Sequence, residues 1–547
     1  MWHCAAETGI SSCLFADSRS VGFAKKKQSK GWLNMLWLCE NFTPIAVAAS
    51  ASVVAWMYGG ACGDVLVPVV PWVFALLLEV FLVFPQRHHG EKSFEARSRN
   101  WRHLGRSAVF WTALGLLVLL LIPFVNNGLC PGCDAALIAQ GVNPAPRVSF
   151  LPFCVNRFDH LSVVLGIAMA IELAVVVFFG LTHEGKRLAL ELIVWNGVAM
   201  AAFGFIQAVL DAPGPFWNLP EGGASGGHGA FFSVFGYPNM AGDYFTLLFG
   251  LSVALWRDHS EKARLAEKSA DSSALAAMAT RRFERLLRRH YLLIPAVICF
   301  FAALYTLSRA AIILATSTAF IYFVHTLWIL LSRMKKSRRI IIGVWSTLAF
   351  GIVAFFSTIF MPNDIKKEVD TLDSIEMLDR VTGRGQYHAT VATAIWSDHK
   401  LFGCGGWGYK HFCVPKMKEL KMNVKRSLQM QGGANVHNDY LQFLAEHGLV
   451  GFGAMVLLAF LLYLPVARQW AQSVKDLRFK KEAAKMPKPL EIFALPAPAF
   501  IVTVAVIATL IHAFGDCPLR SSAVLSLVYI SIAAIGGFMP HQNHDHK

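Results

Sequence analysis

Again and again from about residue 43 onward, the chain strings together apolar runs with few or no charges. Each is about 17 to 25 residues long, enough for a helix to cross a hydrocarbon core of about 30 Å. In lipid every backbone N–H and C=O needs an internal partner, so runs of this length must be helices. Twelve are read, at about 43–60, 66–84, 107–126, 160–181, 188–210, 240–256, 291–307, 310–331, 339–361, 449–466, 495–515 and 521–538. Composition agrees: 55% of the 547 residues are hydrophobic, 16% are charged, and the mean hydropathy is +0.47. The expectation is an all-α polytopic membrane protein. Residues 1–42 form a tail, 43–361 hold helices one to nine, 362–448 form one large loop between helices nine and ten, 449–540 hold the last three helices, and 541–547 form a second tail.

The formal net charge of +15 raises nucleic acid as a partner, but its distribution argues against it. With the N-terminus placed inside, the inside segments hold about 35 of the 50 Lys and Arg, including KKKQSK, RRFERLLRRH, RMKKSRR and KDLRFKKEAAK. That asymmetry follows the positive-inside rule, and such clusters commonly meet anionic headgroups. Both termini are then expected inside, with membrane lipids rather than nucleic acid as partners. Trp32 to Cys39 is too short an apolar run for a signal peptide, and no small-residue cleavage site follows it. Of the 11 cysteines, Cys130, Cys133 and Cys154 share one outside loop and Cys404 and Cys413 another. Pairing in an oxidising compartment and free thiols both fit.

Three outside segments stand out: 127–159 with its cysteines, 211–239 rich in Gly and Pro, and 362–448. The last holds eleven of the fifteen outside Lys and Arg. It is too long for a mere connector. Twelve spans also suit a transporter, but those often show repeated halves with matching broken helices. No such repeat is evident, and the polar residues gather in one late loop.

Four outward patches carry candidate chemistry. Phe235 to Tyr244 (FGYPNMAGDY) leads into the sixth span, and Thr306 to Ala311 (TLSRAA) is the tight turn between spans seven and eight. Thr382 to Tyr387 (TGRGQY) opens a run ending at Gly408, and His437 to Phe452 closes the large loop. His512, Asp516 and Arg520 lie at the mouth of the last hairpin. Arg309 sits in a short turn between apolar helices, where an ionisable group either snorkels to headgroups or faces a watery cavity. At a helix N-terminus, its planar fork would match phosphate oxygens. Gly403, Gly405 and Gly408 spell GxGxxG, but no βαβ unit surrounds them; they read as a turn that lets backbone approach something closely. Asn438 or Asp439 would cap a short helix from about Tyr440 to His447. His437 would then stand beside its positive dipole end, suited either to a structural role or to accepting a proton. No DxD and no metal-ligating cluster is evident outside, and the tail HQNHDHK reads as a frayed inside end.

Taken together, VHNDYLQFLAEHGLVGF, TLSRAAI, GYPNMAGDY and TGRGQYHATVATAIWSDHKLFGCGGWG resemble the O-antigen ligase and polymerase superfamily, collinearly over about 160–530. The basic insert KMKELKMNVKR and the cysteine loop are departures from its pattern. The resemblance implies a GT-C-like glycosyltransferase in a bacterial inner membrane, metal-independent and without a cofactor. It would use an undecaprenyl-pyrophosphate-linked glycan on the periplasmic face and transfer it with inversion. His437 would correspond to the catalytic histidine, and Arg309 and Arg384 to phosphate-binding arginines. Asn438, Asp439, Glu446, Asn239, Asp243, Arg380, Asp516 and Arg520 are supporting candidates. Lipid A core is the favoured acceptor; chain polymerisation and protein O-glycosylation share the same donor and motifs.

Overall fold

The computed structural model describes residues 29–60, 91–126, 150–218, 231–269, 289–332, 375–422, 435–484 and 495–539, with short pieces at 86, 148, 341, 343 and 345–348. Among these residues the protein is all helix, apart from an isolated bridge between Phe232 and Phe235. The elements are α1 (Ser29–Trp56), α2 (Ser93–Arg106), α3 (Ala108–Val125), α4 (Arg157–Val175), α5 (His183–Val209), α6 (Pro238–Ser269), α7 (Leu293–Tyr305), α8 (Arg309–Ser332), α9 (Ile375–Asp398), α10 (Gly408–Glu419), α11 (Asp439–Ala484), α12 (Ala497–His512) and α13 (Ser522–Ala534).

Among the described residues, five stretches are long and apolar enough to cross a membrane: Ala108–Val125, Arg157–Gly180, His183–Val209, Arg309–Ile329 and Asp439–Asp476. Leu293–Tyr305, Ala497–His512 and Ser522–Phe538 are shorter apolar helices. The run expected at 240–256 falls inside α6, and that at 43–60 lies in α1 as far as Trp56 and ends in the turn Tyr58–Gly60. The run at 66–84 and most of 339–361 lie outside the described residues.

Two helices form the interior. Residues 240–255 of α6 and 521–535 around α13 are buried without interruption, as helices apolar all round must be. α6 packs chiefly on α7 and α12, and α13 on α4. Some of their hydroxyls are satisfied locally, as Thr246 donates to the Gly242 carbonyl at 2.7 Å and Ser531 to that of Leu527 at 2.6 Å; Tyr529 instead donates to the Met455 carbonyl of α11 at 3.0 Å.

The described part of the large loop, 375–422 and 435–448, is a folded cap. Phe153, Val155, Val391, Ala392, Ile395, Tyr409, Phe412, Met417 and Val436 join a separate buried cluster, so the end of the cysteine loop packs into it. Cys154, Cys404 and Cys413 are thiols, so of the two readings for these three positions the structure takes the thiol. Cys130 and Cys133 lie outside the described residues.

α11 is broken at Gly448, whose φ is 63° and ψ −173°. The break separates the expected short helix from the span that follows. In an unbroken helix the N–H groups of Leu449 and Val450 would donate to the carbonyls of Ala445 and Glu446. Instead they donate to Lys400 and Leu401 at 2.9 and 3.0 Å, while Cys404 and Gly405 donate to Ala445 and Glu446 at 3.0 and 2.8 Å. All four orphaned groups are thus taken by residues 400–405, which is how a helix can be interrupted within a buried bundle. The contact needs glycine on both sides: a Cβ at Gly448 would run into the Leu401 carbonyl, and one at Gly403 into that of Glu446.

Candidate active site

Above the break, the cap and three stretches of the bundle meet. Asn438 is the N-cap of α11, its Oδ1 accepting from the Leu441 N–H at 3.0 Å. Of the two expected caps, Asn438 fills the role. Asp439 is buried and accepts from the Leu519 N–H at 2.7 Å, while its own N–H donates to the Ala513 carbonyl at 2.9 Å. Asn438 Nδ2 donates to the Phe514 carbonyl at 3.0 Å. The helix start is thereby fastened to the hairpin between α12 and α13.

That fastening places His437 beside Asp516, with Nδ1 3.1 Å from Oδ1. The Asp516 carboxylate also accepts from the Tyr237 hydroxyl at 3.0 and 2.8 Å, from the Cys517 N–H at 2.8 Å, and from the Asn239 amide. Burial works to raise this carboxyl, but the hydrogen bond and charge of His437, the charge of His512 and the Tyr237 hydroxyl outweigh it. They bring it down to about 2. Burial, followed by the Asp516 charge, pushes the Tyr237 hydroxyl up, so it acts as a donor. Because ionised Asp516 accepts, the proton of a neutral His437 ring sits on Nδ1 and the lone pair on Nε2. The His437 side chain is 31% exposed and its φ is 54°. A non-glycine residue in this region costs about 1–3 kcal/mol and tends to mark functional positions.

A second pair lies behind the first. His512 Nδ1 binds Asp243, with side chains 5% and 1% exposed. Glu446 and Arg520, both supporting candidates, bind each other at 2.6 Å with side chains 0% and 4% exposed. Gln442 donates to Glu446 at 3.2 Å, and the Arg520 guanidinium lies 4.2 Å from the centroid of the Trp407 ring. The charge of Arg520 is therefore matched within the protein.

Arg309 is the first residue of α8. Ser308 Oγ accepts from the Ala311 N–H at 3.2 Å and caps the helix, after a turn in which Leu307 has φ 55°. This turn packs on α6, where a Cβ on Gly242 would meet Ala311 and Thr306. Half-buried Arg309 thus starts a helix beside the segment that carries Asn239 and Asp243. Arg380 and Arg384 fall in α9, where their side chains lie outside the described ones. His388, four residues after Arg384, is described: its ring centroid is 6.3 Å from that of His437, and its Nδ1 is 2.6 Å from the Tyr409 hydroxyl.

Sequence reasoning did not single out Tyr237, His388, Tyr409 or Trp407. Tyr237 lies inside the GYPN patch, and a hydroxyl two residues from Asn239 was the available signal. His437, Asp516 and Cys517 each offer one ligand atom, all within 4.8 Å of one another, a group that no linear spacing announces. Its carboxylate is already engaged by the Tyr237, Asn239 and Cys517 donors.

The class is then a helical multi-pass membrane protein whose folded cap and bundle together hold a polar, partly open histidine–aspartate pair. Residues 294–465, from α7 into α11, match the sequence model of the family described as O-antigen ligase. The match includes Arg309, Arg384 and His437, whereas Tyr237, Asn239, Asp243 and Asp516 lie outside it. No curated protein matches the chain.

Proposed function

We propose that the protein is a membrane glycosyltransferase that moves a glycan from undecaprenyl pyrophosphate to an acceptor hydroxyl on the outer face of a bacterial inner membrane. The description of the matched family favours O-antigen ligation, and the acceptor in this reading is lipid A core. The observation that carries the reading is the His437–Asp516 bond, which leaves Nε2 of a partly exposed ring able to take a proton.

In the proposed step the acceptor oxygen attacks the anomeric carbon from the side opposite the diphosphate. The carbon–oxygen bond to the diphosphate breaks, the hydroxyl proton passes to His437 Nε2, and undecaprenyl pyrophosphate leaves as an anion. Asp516 orients the ring and stabilises the imidazolium as it forms. Arg309 and Arg384 hold the diphosphate, where donors fixed around developing charge contribute most. No metal or cofactor enters this scheme.

Deleting the protein and analysing surface glycans tests the reading. Loss of long chains from lipid A core, with lipid-linked polymer accumulating, is the expected result. Single repeats remaining on lipid A core would indicate a polymerase, loss from a protein an oligosaccharyltransferase, and unchanged glycans would refute the proposal. Arg309→Lys should lower transfer by about tenfold or more, because Lys cannot make the forked contact.

A further inference from the structure

A second polar feature lies at the opposite end of the same helices. The far end of α3 meets the cap, since Asn126 Nδ2 binds the carbonyls of Val148 and Pro152 at 3.1 and 3.0 Å. α4 starts there too, its His160 Nδ1 accepting from the Gly406 N–H at 2.7 Å. α3 has 18 residues, so its other end lies about 27 Å away. At that end, where α2 turns into α3 and α4 closes in a π-helical turn (Val176–Gly180), there is a cavity of about 320 Å³. It is lined by Arg102, His103, Arg106, Ser107, Phe178 and Phe179. π-helical turns are rare and recur at functional positions.

Among the described residues the lining is cationic on one side, aromatic on the other, and holds no carboxylate. The carboxylates of α2 and its lead-in are committed elsewhere: Glu91 binds Arg99 at 2.5 Å, and Glu95 accepts from the Lys92 N–H at 3.1 Å. Arg99 also donates to the Gln86 carbonyl at 3.2 Å, and Gln86 Oε1 accepts from the Thr182 N–H at 2.8 Å. These bonds dock α2 against the segment that follows the π turn. Phe94 and Trp101 of α2 are 76% and 46% exposed, as on a helix lying at a lipid interface. A cavity lined by both cations and aromatic rings, at a membrane boundary, complements a phosphate attached to an acyl chain.

We propose that this cavity binds an anionic phospholipid of the leaflet opposite His437, with Arg102, His103 and Arg106 on the headgroup phosphate and Phe178 and Phe179 against the upper acyl carbons. The site needs no glycan chemistry and stands whether or not the transfer reading does. The test is native mass spectrometry of the full-length protein titrated with phosphatidylglycerol, phosphatidylcholine or inorganic phosphate. Thermal melting of each variant serves as the folding control. One phosphatidylglycerol should be retained, and Arg102→Ala/Arg106→Ala should weaken it roughly thirtyfold, from the usual worth of two basic side chains at an anionic surface. Arg97→Ala, an exposed cation of α2 outside the lining, should leave it unchanged. Should the alanine pair misfold, Arg102→Gln/Arg106→Gln replaces it. Equal weakening by Arg97→Ala, undiminished retention by the double variant, equal retention of phosphatidylcholine, or displacement by equimolar inorganic phosphate would each overturn the proposal.

Discussion

Two histidine–aspartate pairs stand side by side at the mouth of the bundle, and their exposure separates them. The His437 side chain is 31% exposed and belongs to the junction between cap and bundle, whereas His512 is 5% exposed and its partner Asp243 1%. Both histidines use Nδ1. An enclosed pair can hold helices together, as this one joins α6 to α12, but a substrate hydroxyl cannot reach it. The open pair has a route to solvent and a backbone conformation held by its surroundings. Residue type alone would rank the two equally; access distinguishes the candidate base from the strut.

The sharpest way to break this comparison is to remove each imidazole in turn. His437→Ala should lower glycan transfer by about 10²–10⁴-fold, the usual worth of a positioned general base, while detergent-solubilised protein melts almost as before. Near-normal turnover, followed with a lipid-linked donor, would remove the base assignment. His512→Ala should behave in the opposite sense. It leaves the buried Asp243 carboxyl without its partner, at a cost of about 1–3 kcal/mol, visible as a lower melting temperature. Turnover per folded molecule should change far less than for His437→Ala. If the two variants lost activity equally with unchanged melting, exposure would be the wrong criterion.

The same contrast shows what was legible in the sequence. Apolar runs betrayed the helices because lipid enforces their length, so the read boundaries of α3 and α12 fall within three residues of the observed ones. His437, Arg309 and Asn239 were visible as polar residues at the ends of such runs. Their grouping was not, because it depends on distant chain segments: Tyr237 and Asp516 are 279 residues apart, and His437 and Asp516 79. The cap was hard to foresee for another reason. α9 carries glycines at 383 and 385, and its buried apolar residues Val391, Ala392 and Ile395 cover only about one turn. Its stability comes from Phe153 and Val155 on another loop, which no local pattern encodes. Gly403 and Gly405 were the exception, since close backbone approach requires glycine wherever the partner comes from.

A smaller effect sharpens the comparison by pH. Asp516 is lowered to about 2 against an ordinary 3.8, so ionised Asp516 stabilises the fold. That contribution is fully present above the ordinary value and is lost as pH falls through about 2. The shift corresponds to roughly 2 kcal/mol. Asp516→Asn should therefore lower the melting temperature at pH 7, and the deficit should shrink steadily between pH 4 and pH 2, where the wild-type carboxyl also becomes neutral. The variant should lose transfer at neutral pH as well, because an amide can stabilise neither the Nδ1–H tautomer nor the imidazolium as a carboxylate does. A melting deficit that stayed constant down to pH 2 would mean that shape, not charge, is what Asp516 contributes, and the open pair would then resemble the sealed one.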